Sequence, residues 1–317
     1  MDDREQLLEQ TIRRYARPGA RVVGFDVRPM WENERGYSGA RVERHVVAVR
    51  TPEGEAETIT LITKEASLLE RRVLDLLTSQ NQCVPFSHTL DLTTDRPMLV
   101  CQQDLGTDSS QWPSSTELDR QAARCLARIH YTNLGRATEL AWLPRADRAY
   151  FEGYILADYR RQLARAMERP AFKAQYGDVA RQMEEAVGPF LAAMDSLWAE
   201  GDSLTLIHAD MMDNHVLVHA GWPYLIDWGQ ARYGSFYLDL PNYFTPDRVL
   251  SYRDALGELG LDIPEDEFMR RYREAGRYPG FKYIGVLLHL WVAGRPGSLH
   301  GPLLDQLLHG NVRPSPM

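Results

Sequence analysis

The chain has 317 residues, 44% of them hydrophobic, enough to bury a large core in one big domain or two lobes and too many for a disordered chain. Its formal charge is -8, from 44 acidic and 36 basic residues, and no run of like charge is long enough to form a nucleic-acid-binding arm. Such a balance would welcome a cationic small molecule. The opening MDDREQLLEQ lacks a basic region leading into an apolar core, and the longest apolar stretch, YIGVLLHLWVAG, is too short to span a bilayer, so neither a secretory signal nor a membrane span is expected. Cys83, Cys101 and Cys125 are odd in number and widely spaced, which fits neither a disulfide framework nor a zinc knuckle and points to a reducing cytoplasm. Only Lys64, Lys173 and Lys282 are lysine in a chain otherwise rich in arginine, so each lysine invites a reason.

Residues 4–17 carry Leu7, Leu8, Ile12 and Tyr15 at helical spacing before Pro18-Gly19. The stretches RVVGFDV, VERHVVAVR and ETITLITK are rich in β-branched residues and read as strands, separated by the turn sequences NERGYSGA and TPEGEA. A helix is expected over 66–79, with Leu69, Val73, Leu74 and Leu77 on one face, and a strand over 97–103. Beyond Asp104-Leu105-Gly106 the texture turns helical, through ELDRQAARCLARIHYT and two amphipathic segments at 149–168 and 176–199. Short strands follow at 203–207, 215–219 and 223–226, and helices return over 248–309. The pattern is an α+β chain with a β-rich N-terminal lobe over 1–103, which includes a hinge strand, and a larger helical lobe over 104–317. A cleft between such lobes is a common ligand site.

LIHADMMDNHVLV, residues 206–218, packs His208, Asp210, Asp213, Asn214 and His215 between two apolar runs. HVLVH, the turn Ala220-Gly221-Trp222 and PYLID form a hairpin with arms of similar length, which returns Asp227 towards Asp210 and His215. Convergent oxygen ligands suit Mg²⁺ shared with substrate phosphates, and an aspartate left off the metal can orient or deprotonate an alcohol. Asp213 and the acids around Asp262 read as turn and helix-start residues, and His130 as a packed histidine. Tyr150, Phe151, Tyr154, Tyr283 and Trp291 could line a pocket or form core, and core is the preferred reading.

HADMMDNHVLV followed by LIDWGQA resembles the catalytic and metal-binding loops of the aminoglycoside phosphotransferase and choline kinase-like family, small-molecule kinases that share the two-lobed protein-kinase fold. The resemblance implies that Asp210 is the catalytic base, that Asp227 binds metal, and that His208 and Asp239 support the catalytic loop. The family's asparagine slot holds His215 here, as in macrolide kinases, with Asn214 one position early as the competing ligand. A histidine ligand makes metal binding weaker at acid pH.

The N-terminal lobe would supply the nucleotide site. The turn containing Gly36, Ser38 and Gly39 would cover the phosphates. Lys64 resembles the lysine of the third strand, with Glu70 as its partner, because Glu65 next to it on a strand points to the opposite face. Backbone groups of Cys101, Gln102 and Gln103 would read the adenine edge. The resemblance therefore implies ATP and Mg²⁺ as cofactors and a small-molecule hydroxyl acceptor, cationic on the strength of the acidic balance, with no nucleic acid or membrane partner. A nucleotide-binding pseudokinase and a metal-dependent hydrolase are the rival readings.

Overall fold

The computed structural model describes residues 3–28, 41–106, 115–295 and 297–310. In chain order the elements are α1 (Asp3–Thr11), β1 (Arg21–Arg28), β2 (Val42–Arg50), β3 (Ala56–Ala66), α2 (Leu68–Ser79), β4 (Ser87–His88), β5 (Met98–Gln103), α3 (Ser115–Asn133), α4 (Arg148–Tyr150), α5 (Ala157–Met167), α6 (Pro170–Glu185) and α7 (Val187–Glu200). They continue with β6 (Leu204–Ile207), β7 (Val216–His219), β8 (Trp222–Leu225), β9 (Arg232–Ser235), α8 (Leu250–Glu258), α9 (Glu265–Ala275), α10 (Arg277–Val292) and α11 (Pro302–His309). The α+β class with a β-sheet N-terminal region and a helical C-terminal region is as expected. The turn holding Gly36, Ser38 and Gly39 lies outside the described residues.

The chain forms two compact units, Met1–Ser114 with Asn214–Ala231, and Ser115–Asp213 with Arg232–Met317. This differs from a single division at 103/104. The β7–β8 hairpin returns to the first unit because Leu225 N–H donates to Cys83 O at 2.8 Å and His219 Nδ1 donates to Leu105 O at 2.7 Å.

In the first unit an antiparallel sheet runs β1-β2-β3-β5-β4. Alternation along β2 and β3 sends Val47, Val49 and Leu61 inwards, where they pack on Leu7, Leu8, Ile12 and Cys101. Burial pushes the Cys101 thiol up to about 12, so this free cysteine is a packing residue. Ser67 caps α2 by accepting from Glu70 N–H at 3.2 Å. The fully buried Arg71 donates to Thr94 O at 2.6 Å and Arg96 O at 3.0 Å, fixing the approach to β5.

The second unit is mainly helical around the two-stranded pair β6-β9. The amphipathic segment at 149–168 is continuous but π-helical over Phe151–Leu156. The segment at 176–199 instead breaks at Ala186, because Pro189 in the first turn of α7 cannot accommodate the carbonyl four residues earlier. α10 packs closely on α11, and a Cβ added at Gly280 would lie 2.4 Å from Leu307 N and 2.7 Å from Leu307 Cα. Among the described residues no helix is long and apolar enough to cross a membrane.

Because that approach is backbone on backbone, Gly280→Ala must push α11 away. We expect a loss of about 1–3 kcal/mol by denaturant unfolding. A change within ~0.5 kcal/mol would show that α11 is free to shift.

Candidate active site

The two units each assemble part of the polar residues singled out by the sequence. In the first, Lys64 on β3 stands opposite Val42 of β2 and Val100 of β5 in the sheet. Its ammonium is in contact with the buried Glu70 carboxylate on α2 and lies 3.8 Å from Asp227 Oδ1. Glu65 is exposed, on the opposite face from Lys64's partners, as strand alternation requires. Asp227 follows β8 with φ 65° and ψ 57°, a left-handed conformation costly for a residue with a Cβ. Two ties hold it there. Ile226 N–H donates to His215 O at 3.0 Å, and the fully buried Trp228 donates its indole N–H to Leu225 O at 3.2 Å.

His215 Nε2 lies 3.5 Å from Asp227 Oδ2, whose side chain is 53% exposed, whereas Asn214 is exposed and His215 buried. The local turn thus sets His215, rather than Asn214, beside Asp227. An imidazole nitrogen and a half-exposed carboxylate fit two positions of a divalent cation that keeps waters and phosphate oxygens for the rest. Among the described residues no group of three or more His, Cys, Asp or Glu side chains is arranged around a common metal position.

The expected hinge needs one correction. Gln103 N–H already donates to Phe86 O at 3.0 Å, and Cys101 and Gln102 are paired with both β3 and β4. These strand-bound groups leave Gln103 N–H no donor for an adenine edge.

In the second unit, β6 delivers His208 and Ala209 into a loop organised by Asp239. His208 N–H donates to Asp239 Oδ2 and Ala209 N–H to Asp239 Oδ1, both at 2.7 Å. His130 Nε2 adds a 3.1 Å contact to the same carboxylate, while Tyr252 Oη lies 2.7 Å from His130 Nδ1. A proton placement with Tyr252 donating to Nδ1 and Nε2–H donating to Asp239 satisfies all three groups. His130 is therefore more than a packed histidine. Its position on the buried face of α3 was the signal, and its partner lay too far along the chain to be read.

Ala209 takes φ 61°, and its carbonyl accepts from Tyr278 Oη at 2.9 Å and from Lys282. Asp210 follows. Its Oδ1 accepts from Tyr283 Oη at 2.6 Å and lies 2.7 Å from Lys282 Nζ. Burial alone would raise the Asp210 pKa, but the charge of Lys282 and the hydrogen bonds from Lys282 and Tyr283 outweigh it and hold the carboxyl below its ordinary value. Burial lowers the Lys282 pKa, with Asp210 opposing. Tyr283 was expected to be core and is instead a donor to Asp210, and Tyr154 is 52% exposed. The rarity of lysine pointed at Lys282 as much as at Lys64, but helical spacing alone could not say what it touched.

Taken together, the sheet with its Lys64–Glu70 pair and a loop presenting an ionised aspartate define a kinase-like phosphotransferase. Residues 35–276 match the phosphotransferase enzyme family, and the chain belongs to that family as a small-molecule kinase. Spectinomycin phosphotransferase, solved with ADP and spectinomycin, shares its fold with TM-score 0.56 at 14% identity, covering 96% of this chain and 98% of that one. Choline kinase from Cryptosporidium parvum Iowa II gives 0.54 at 12%, covering 89% and 86%. Ethanolamine kinase from Plasmodium vivax gives 0.52 at 11%, covering 96% and 85%. At such identities these likenesses speak to fold alone. Comparison with curated protein sequences finds no match.

Removing the ammonium takes away the strongest interaction that opposes desolvation of the buried Asp210 carboxylate, so Lys282→Met should raise the Asp210 pKa. The depressed value belongs to a form that is lost as pH falls, so the acid limb of turnover should move to higher pH in the variant. A pH–rate profile measures this, and an unmoved acid limb would mean that Lys282 does not set the ionisation of Asp210.

Proposed function

We propose that the protein transfers the γ-phosphate of ATP to a hydroxyl group of a small molecule. The observation that carries this reading is the cluster in which Lys64 meets both Glu70 and Asp227, with His215 against the same Asp227. Glu70 is buried and holds Lys64 in place, so the ammonium can neutralise nucleotide phosphate oxygens without losing its orientation. Asp227 and His215 would hold Mg²⁺, which when bound offsets charge on the phosphates. His215 serves this role as the neutral imidazole, so the cation is held less well in acid.

Asp210 addresses the acceptor. It is held ionised by Lys282 and Tyr283, so it accepts a hydrogen bond from the attacking hydroxyl and takes its proton as the oxygen moves onto phosphorus. Asp239 and His208 do not touch the reactants in this scheme. They fix the backbone from which Asp210 projects. One stretch of chain, 210–215, links the acceptor residue to the metal ligand, so a change in that loop should disturb both roles. The glycine turn at 36–39 is assigned to the phosphates by resemblance, and a cytoplasmic setting by the need for ATP. The family assignment favours this reading over the hydrolase, and the ionised Asp210 favours it over a pseudokinase.

Asp210→Asn should lower transfer about 10²–10⁴-fold in a coupled ADP-release assay while ATP affinity by calorimetry stays near wild type. Lys64→Met should do the reverse and weaken ATP binding first. Turnover of Asp210→Asn at close to the wild-type rate would remove Asp210 from the chemistry.

A further inference from the structure

Arg232 is an unusual arginine in this chain. It opens β9 opposite Ile207, the last residue of β6 before the catalytic loop. Its guanidinium carbon lies 3.8 Å from the centre of the Tyr150 ring and 5.7 Å from that of Tyr154, the two rings being stacked at 5.6 Å. Its Nε is buried without a hydrogen-bond acceptor, and among the described residues no carboxylate lies within ion-pair distance of it. Arg271 meets Asp202, Glu267 and Glu200, and Arg248 meets Asp119. A partly buried guanidinium with aromatic faces and no counter-ion is an incomplete anion site.

The surroundings connect it to Asp210. Tyr150 Oη lies 3.0 Å from Tyr278 Oη, which donates to Ala209 O, the acceptor that Lys282 also contacts. Lys282 and Arg232 are close enough for the charge of one to act on the other. Two cations therefore flank the loop. Asp210 neutralises one of them, and Asp239 is buried with its oxygens taken up by two backbone N–H groups and His130. The charge of Asp239 still acts on Lys282, so two cations face two carboxylates, and among the described residues Arg232 is the cation without a carboxylate of its own. Tyr154, whose ring it approaches, is 52% exposed on a π-helical turn. π-Helical turns of this kind recur where side chains are aimed at ligands.

Resting on the transfer reaction proposed above, we propose that the acceptor is an anionic alcohol: a molecule whose hydroxyl meets Asp210, whose carboxylate or phosphate group is held by Arg232, and whose apolar part lies on the exposed Tyr154. The net charge of -8 favoured a cationic acceptor, but that charge is spread over the whole surface and screened beyond about 10 Å. The guanidinium without a carboxylate of its own decides.

The test uses the full chain with ATP and Mg²⁺ in the ADP-release assay, with acceptors of matched aromatic body and differing charge: 3-phenyllactate, its amide and phenylalaninol, together with sugar acids, their parent sugars and amino sugars. The acids should be turned over preferentially. Arg232→Gln should raise the acceptor KM about 10-fold for acids and little for neutral compounds, with the KM for ATP unmoved and Arg232→Lys recovering part of the loss. Should Arg232→Gln not fold, the rise of the wild-type KM with salt for acids but not amides gives the same decision. Preference for the cationic members, an acid KM insensitive to Arg232, or silence in all three charge classes while ATP is bound would each overturn the proposal. Failure to bind ATP at all, read by calorimetry on the same sample, would instead overturn the transfer reaction itself.

Discussion

The structure around Asp210 depends on a single buried carboxylate. Asp239 accepts the N–H groups of two consecutive residues, His208 and Ala209, and this pair of bonds sets the direction in which the chain leaves β6. Consecutive N–H groups pointing to one side do not belong to a strand, so the peptide must turn, and Ala209 turns it by taking a left-handed conformation. Such strain is worth about 1–3 kcal/mol and needs an opposing interaction. Charge-assisted hydrogen bonds to a fully buried carboxylate, with His130 and Tyr252 behind it, are of that size. The Ala209 carbonyl, thrown outwards by the same turn, becomes the acceptor for Tyr278 and Lys282. In this way Asp239 also positions the ammonium that keeps Asp210 ionised.

The first unit solves its own problem in the same manner. Asp227 is also left-handed, and it is held by backbone and indole bonds on both sides while its carboxylate stays half exposed. Strain is placed in the backbone so that a side chain can be left open for a ligand. Lys64 then has two carboxylates within reach, one buried and one open. Glu70 fixes it, and Asp227 shares it. An ammonium tied to both would lose its orientation if either were removed, which ties the order of the β3–α2 pair to that of the loop after β8.

Much of this was legible in the sequence because it rests on local pattern. β-Branched alternation gave the sheet, the leucine spacing gave α2, and the HAD and LIDWG motifs gave Asp210 and Asp227. Scarcity of lysine was also a true signal, since Lys64 and Lys282 both meet carboxylates of the candidate site. What stayed hidden depends on contacts between distant residues. Tyr283 and Val286 share one amphipathic helix, yet one donates to Asp210 and the other faces solvent. Nothing in the spacing separates a core tyrosine from one whose hydroxyl meets a residue more than 70 positions away. The surroundings of β5 were hidden for a different reason: the two-residue strand β4 is too short to leave a pattern, yet it pairs with β5 at Cys101 and Gln102.

The charge of the chain shows how far a total can mislead about a site. Most of the acidic residues in the second unit pair with arginines at its surface, where exposed pairs contribute little and the field is screened. Around the catalytic loop the pairing is different. Asp239 is taken up by backbone donors, Asp210 by Lys282, and Arg232 by two aromatic faces that attract a cation without neutralising it. Aromatic stacking lowers the penalty of holding a guanidinium there but leaves its charge in place. Among the described residues Arg232 is thus left as a cation with no carboxylate of its own, in a chain that is negative overall.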